Sequence, residues 1–201
     1  MKKWIVSLTV VIVAAIAVLG FFVYRNNPFL FTSVEIGDPI DSLNHVVVYY
    51  NSGTGNVSGR NTAPDGYNIG LKYQCVEFVK RYYYQHYNHK MPNPYGNAVD
   101  FYNKSLSDGN WNPDRGLTQY SNPGSSKPRV GDLIVLDATS LNGYGHVAII
   151  SGVSDHTIEI IQQNGGKHAK SRVTYGLISQ RGRWQIDHSR VLGWLRKNNA
   201  R

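Results

Sequence analysis

The apolar positions of this chain follow three rhythms. From Trp4 to Tyr24 they run without a single charge for 21 residues. A helix of that length is roughly 30 Å long, the thickness of a bilayer's hydrocarbon core. From Gln74 to about His89 they recur at helical spacing: Val76, Val79, Tyr83 and Tyr87 lie on one course, with Phe78 and Tyr82 beside it. Met91-Pro-Asn-Pro94 ends that helix. In the second half the apolar residues come in short β-rich runs, Asp132–Leu136, His146–Ile150, Thr157–Ile161 and Val191–Leu195, with turn residues between them. His45–Tyr50 reads as an earlier strand. The polar stretches 51–68 and 107–129 read as loops, and a short helix is expected over 97–105. Helices followed by a run of strands predict an α+β fold, with N-terminal helices packed on an antiparallel sheet.

Composition refines this outline. At 201 residues, 41% hydrophobic and 17% charged, the chain suits one globular domain plus an anchor and excludes a disordered protein. The net charge is +8, but Lys2, Lys3 and Arg25 flank the apolar run, and without them the excess is +5. That mild surplus suits an anionic polymer or surface and predicts no nucleic-acid partner. The flanking charges favour an N-terminus in the cytoplasm and a body outside the membrane. The expected organisation is a cytoplasmic N-terminus (1–3), a transmembrane signal anchor (4–24), a juxtamembrane connector (25–35) and one domain (36–197). A cleaved leader, with Ala15-Ile16-Ala17 as its cleavage site, is the alternative, and it exports the domain equally.

The single cysteine, Cys75, rules out an internal disulfide and a Cys-rich zinc site. It opens the helical run, where the helix macrodipole favours a thiolate. His146 opens an apolar strand directly after Gly143-Tyr144-Gly145. Gln162, Gln163 and Asn164 close the next strand. If those two strands pair antiparallel, Gln162 or Asn164 lies beside His146. An amide oxygen there can accept the Nδ1 proton and leave Nε2 to face the thiol. A nucleophile, a base and an orienting amide form a papain-like set.

Several stretches then resemble one family. Tyr73-Gln-Cys-Val-Glu-Phe-Val-Lys-Arg-Tyr82 is similar to the nucleophile motif of CHAP domains, the cysteine- and histidine-dependent amidohydrolases/peptidases. Pro128 with Gly131-Asp-Leu133 resembles their Pro-x-x-Gly-Asp-Leu strand, and Gly145-His-Val-Ala-Ile-Ile150 their histidine strand. Within the family, Gln163-Asn164 and Leu192-Gly-Trp194 resemble the amidase domain of glutathionylspermidine synthetase/amidase. The resemblance covers roughly residues 36–197 and implies a papain-like CHAP fold. It makes Cys75 the nucleophile, His146 the general base and acid, and Gln162 or Asn164 the orienter. Gln162 stands where that subfamily has a glutamate. The backbone N–H of Cys75 is the expected oxyanion donor, with the Gln74 side chain as a second. No cofactor and no metal are called for. The expected substrate is a peptidoglycan peptide or another small amide, with the membrane as partner through the N-terminal helix. A glutathionylspermidine-type amidase and a non-catalytic CHAP-like binding domain are the competing expectations.

Overall fold

A computed structural model describes residues 2–26, 33–166 and 168–198, the side chains of 2–9 and 26 excepted. Helix α1, Lys2–Asn26, covers the apolar run, and its side chains from Val10 to Arg25 are exposed. Among the described residues, no helix is long and apolar enough to cross a membrane. The structure therefore does not supply the expected transmembrane helix. The side chains of Trp4–Thr9 and residues 27–32 of the connector lie outside the described residues.

The domain begins with two small ribbons. Strands β1 (Pro39–Leu43) and β2 (Val46–Tyr49) form one, and β3 (Arg60–Thr62) and β4 (Asn68–Leu71) the other. Helix α2 follows, Cys75–Tyr87. The remaining strands are β5 (Asn110–Asn112), β6 (Leu117–Ser121), β7 (Leu133–Leu136), β8 (His146–Val153), β9 (Thr157–Ile161), β10 (Arg172–Gln180), β11 (Arg183–Asp187) and β12 (Val191–Arg196). They build one antiparallel sheet in the order β11-β10-β9-β8-β7-β12-β6-β5.

Strict alternation divides the sheet's side chains between two cores. Leu133, Val135, Val147, Ile149, Ile161 and Leu195 face α2 and meet Phe78, Val79, Tyr82 and Tyr83. Ile134, Leu136, Ala148, Ile150, Ile158 and Ile160 face the other way and meet Leu177, Ile186 and Trp194. That second face is covered because the sheet curls on itself: Gly124 and Trp184 exchange both backbone hydrogen bonds, at 2.8 Å each. Burial on both faces is why these strands read as continuous apolar runs. Each fully buried Leu, Ile or Phe contributes about 1.5–3 kcal/mol.

The fold is mixed helix and antiparallel sheet, as expected, with differences. The helix expected over 97–105 is only a single 3-10 turn, Val99–Phe101. The stretch 107–129 is no plain loop, since it contains β5 and β6. Their polar residues are buried in hydrogen bonds: Asn112 Nδ2 donates to Gln119 Oε1 at 2.9 Å, and Gln119 Nε2 to the carbonyl of Asn103 at 2.9 Å. Polar composition conceals a strand when its side chains satisfy each other inside the fold.

Candidate active site

The thiol is placed by the turn between β4 and α2. Gln74 caps the helix with extended backbone, and its carbonyl accepts the Phe78 N–H at 3.2 Å. Gly70 allows the close approach. Its φ is +137°, and a Cβ there would press on Glu77 Cα at 3.2 Å. The helix has no solvent stripe in its first half, for every side chain from Glu77 to Tyr83 is buried.

His146 is placed by another glycine. Gly145 has φ +72°, and a Cβ there would lie 2.8 Å from the Leu136 carbonyl oxygen. β8 pairs with β7 at that point, Leu136 opposite His146. β8 also pairs antiparallel with β9, which brings the 162–164 segment back toward His146. Cys75, His146, Gln74 and Asn164 border one cleft of about 400 Å³, together with Arg60 and Lys80.

The histidine's partner is Gln162, whose Oε1 lies 2.9 Å from His146 Nε2. The amide's orientation follows from its other end, where Nε2 donates to the Lys170 carbonyl at 2.9 Å. The oxygen must then face the imidazole, so Nε2 carries the ring proton. Nδ1 is left with the lone pair. This corrects the expectation that Nδ1 would meet the amide: Nε2 does, and Nδ1 is the nitrogen left to act as base. Asn164, the other candidate orienter, instead donates Nδ2 to Gln74 Oε1 at 2.6 Å.

Gln74 is fully engaged as well. Its Nε2 donates to the carbonyls of Asn56 at 2.7 Å and Thr54 at 3.2 Å, which uses both amide hydrogens. Its side chain has no donor left for an oxyanion, contrary to the second donor expected there. The backbone N–H groups at the start of α2 have no helical acceptor of their own.

Electrostatics correct a second expectation. Burial pushes the Cys75 thiol up from its ordinary value, outweighing the N–H groups of Val147, Val76 and Cys75 that favour the thiolate. The residue is nonetheless only half-buried, and it borders the cleft. His146 is 8% exposed. Burial drives it down to about 4, with Gln162 opposing and Arg190 assisting. Desolvation thus outweighs the helix terminus at the thiol, and burial favours the neutral form of both groups.

Gln163 carries structure that its neighbours do not. It is fully buried. Its Oε1 accepts from the Tyr49 N–H at 2.8 Å, and its Nε2 donates to Glu77 Oε2 at 2.9 Å and to the Gln74 carbonyl at 3.1 Å. Glu77 in turn pairs with Arg81 at 2.7 Å, with both side chains buried. One amide thereby ties β2, the cap of the cysteine helix and the end of β9 together. The sequence signal was its place in the Gln162-Gln163-Asn164 run. Lys80 and Arg60 gave none, because a lysine on a helix reads as solvent-facing.

The family model of the CHAP domain matches residues 65–164, which contain Cys75, His146, Gln162 and Asn164. The chain carries a CHAP domain, of a family of amidases and peptidases. It is 28% identical over 161 residues to trypanothione synthetase of Crithidia fasciculata, covering 75% of this chain and 25% of that protein. The chain thus spans about a quarter of the length of that curated relative. Among solved structures, Ly7917 with the hydrolysis product of MDP is 32% identical over 43% of this chain and 33% of that one, at a TM-score of 0.30. The endolysin LysIME-EF1 is 22% identical over 71% and 59%, at a TM-score of 0.36.

Proposed function

We propose that the chain is a cysteine amidohydrolase acting on peptidoglycan peptides, held at a membrane by its apolar N-terminus. The observation that carries the chemistry is the His146–Gln162 bond, made at the cleft that Cys75 also borders. In this mechanism His146 Nδ1 takes the thiol proton as sulfur attacks the amide carbonyl. The backbone N–H of Cys75 holds the oxyanion. Nδ1 then returns the proton to the leaving amine, giving an acyl-enzyme. Water, deprotonated by the same nitrogen, releases the acyl group and restores the thiol. Gln162 keeps Nε2 protonated throughout and orients the ring.

The anchor reading rests on the uncharged run Trp4–Tyr24, its basic flanks and the exposed apolar side chains from Val10 on. The wall reading rests on the family and on the basic charge of the domain. A second reading, hydrolysis of a glutathionylspermidine-like amide, is favoured by the match to trypanothione synthetase. Digestion of purified wall sacculi separates the two. New free amines should appear with the wild type and not with Cys75→Ala. Release from glutathionylspermidine alone selects the second reading.

A further inference from the structure

The cleft's charge is one-sided. Among the described residues that border it there is no aspartate or glutamate, while Arg60 and Lys80 stand together at one end and Cys75 and His146 belong to the same hollow. Arg60 is exposed, and among the described residues its guanidinium has one side-chain partner, Asn68 Oδ1, to which Nη1 donates at 2.8 Å. Lys80 is fully buried behind the same wall. Its ammonium donates to the carbonyls of Asn68 and of Pro94, the latter at 2.7 Å, and sits over the Tyr67 ring. Among the described residues no carboxylate forms an ion pair with it. Glu77, the acid that acts on it, is already bonded to Arg81. Arg115, buried nearby, caps the carbonyls of Asn93, Tyr95 and Asp100. Burial first, and then the charges of Arg115 and Arg60, press Lys80 down to about 8.

A buried cation without a counter-ion is costly, and an arriving anion relieves that cost. Arg60 offers the planar fork that matches a carboxylate, and Lys80 supplies field from behind without contact. We propose that the Arg60–Lys80 end of the cleft is a carboxylate subsite, so that the amide cut lies near an acidic residue of the substrate. This rests on the amide-hydrolase reading for its function, but not for its binding.

The test is calorimetric titration of the full chain carrying Cys75→Ala. The probes are two forms of the pentapeptide L-Ala-γ-D-Glu-L-Lys-D-Ala-D-Ala, one with free carboxylates and one with every carboxylate converted to carboxamide. The free form should bind about tenfold more tightly, the size of one charge-assisted contact. Arg60→Gln should reduce that ratio to about twofold or less, whereas Arg183→Gln, which removes the same charge from a distant strand, should leave it unchanged. Equal affinities, a preference that survives Arg60→Gln, or binding of neither peptide overturns the subsite. Turnover by the wild type is scored separately. Discrimination without turnover keeps the subsite and rejects the hydrolase reading, while turnover without discrimination rejects the subsite alone.

Discussion

The two ends of the central strands are fastened by opposite chemistry. Where β8 begins and β9 ends, at the cleft, the partner of the imidazole and the ties to the helix cap are neutral amides: Gln162 on His146, Gln163 and Asn164 on Gln74, with the buried Glu77–Arg81 pair one step further from the histidine. Where β7 begins and β12 ends, the fastening is a buried ion pair. Arg196 grips Asp132 with Nη2 at 2.6 Å and Nε at 2.9 Å. The difference has a physical reason. A full charge beside a buried imidazole moves its protonation, whereas an amide orients it and leaves it neutral. The far end holds no residue of the proposed mechanism, and a charge pair can fasten it there. An amide meets the imidazole at one end; a charge pair holds only the fold at the other.

The largest expected effect is at the cleft. His146→Gln should lower turnover by at least about 10³-fold, measured as kcat/KM on muropeptides. The same variant should flatten the pH dependence of stability. Because folding lowers the His146 pKa to about 4, its neutral form stabilises the native state fully above the unfolded value of about 6.5. That stability is lost as pH falls toward 4, by up to about 3 kcal/mol. Urea unfolding at pH 7 and pH 4.5 reads the difference between wild type and variant.

At the other end, Asp132→Asn should cost about 3–5 kcal/mol, because it leaves the Arg196 charge buried without its partner. The turnover of the molecules that remain folded should stay within about twofold. A large fall in their activity would erase the contrast between the ends. Gln163→Leu sits between these cases. It should lose about 2–3 kcal/mol by orphaning the Tyr49 N–H and one Glu77 oxygen, and about tenfold in turnover as the cysteine helix shifts.

The smallest change in rate is expected from Gln162→Glu. A carboxylate at that distance favours the imidazolium, so the acid limb of kcat/KM should move upward by about a pH unit or more. Activity near pH 7 should be kept or raised, while stability falls by about 1 kcal/mol because the new oxygen faces the Lys170 carbonyl. An unmoved acid limb would mean that another group orients His146.

Much of this was readable from residues alone. The helix from Cys75 and the strands from Leu133, His146 and Thr157 were legible because their apolar spacing is set by one face or one core. The antiparallel pairing of β8 and β9 followed from their order, and it brought 162–164 to His146. Three things were not legible. Which imidazole nitrogen meets the amide depends on the Lys170 carbonyl, eight residues beyond Gln162. The thiol's raised pKa depends on burial that the whole fold supplies, against a helix terminus that the sequence does show. The buried Glu77, Lys80 and Arg81 look like a solvent face, since nothing local reveals that α2 is covered on every side there.

The most direct test of the account is the intact mass of the protein mixed with muropeptides and quenched in acid within one turnover. The account predicts an acyl adduct on Cys75 that forms and decays in the wild type, is absent in Cys75→Ala and fails to form at the wild-type rate in His146→Gln, where the thiol keeps its proton. Turnover without any adduct on Cys75, or turnover undiminished in Cys75→Ala, would contradict it.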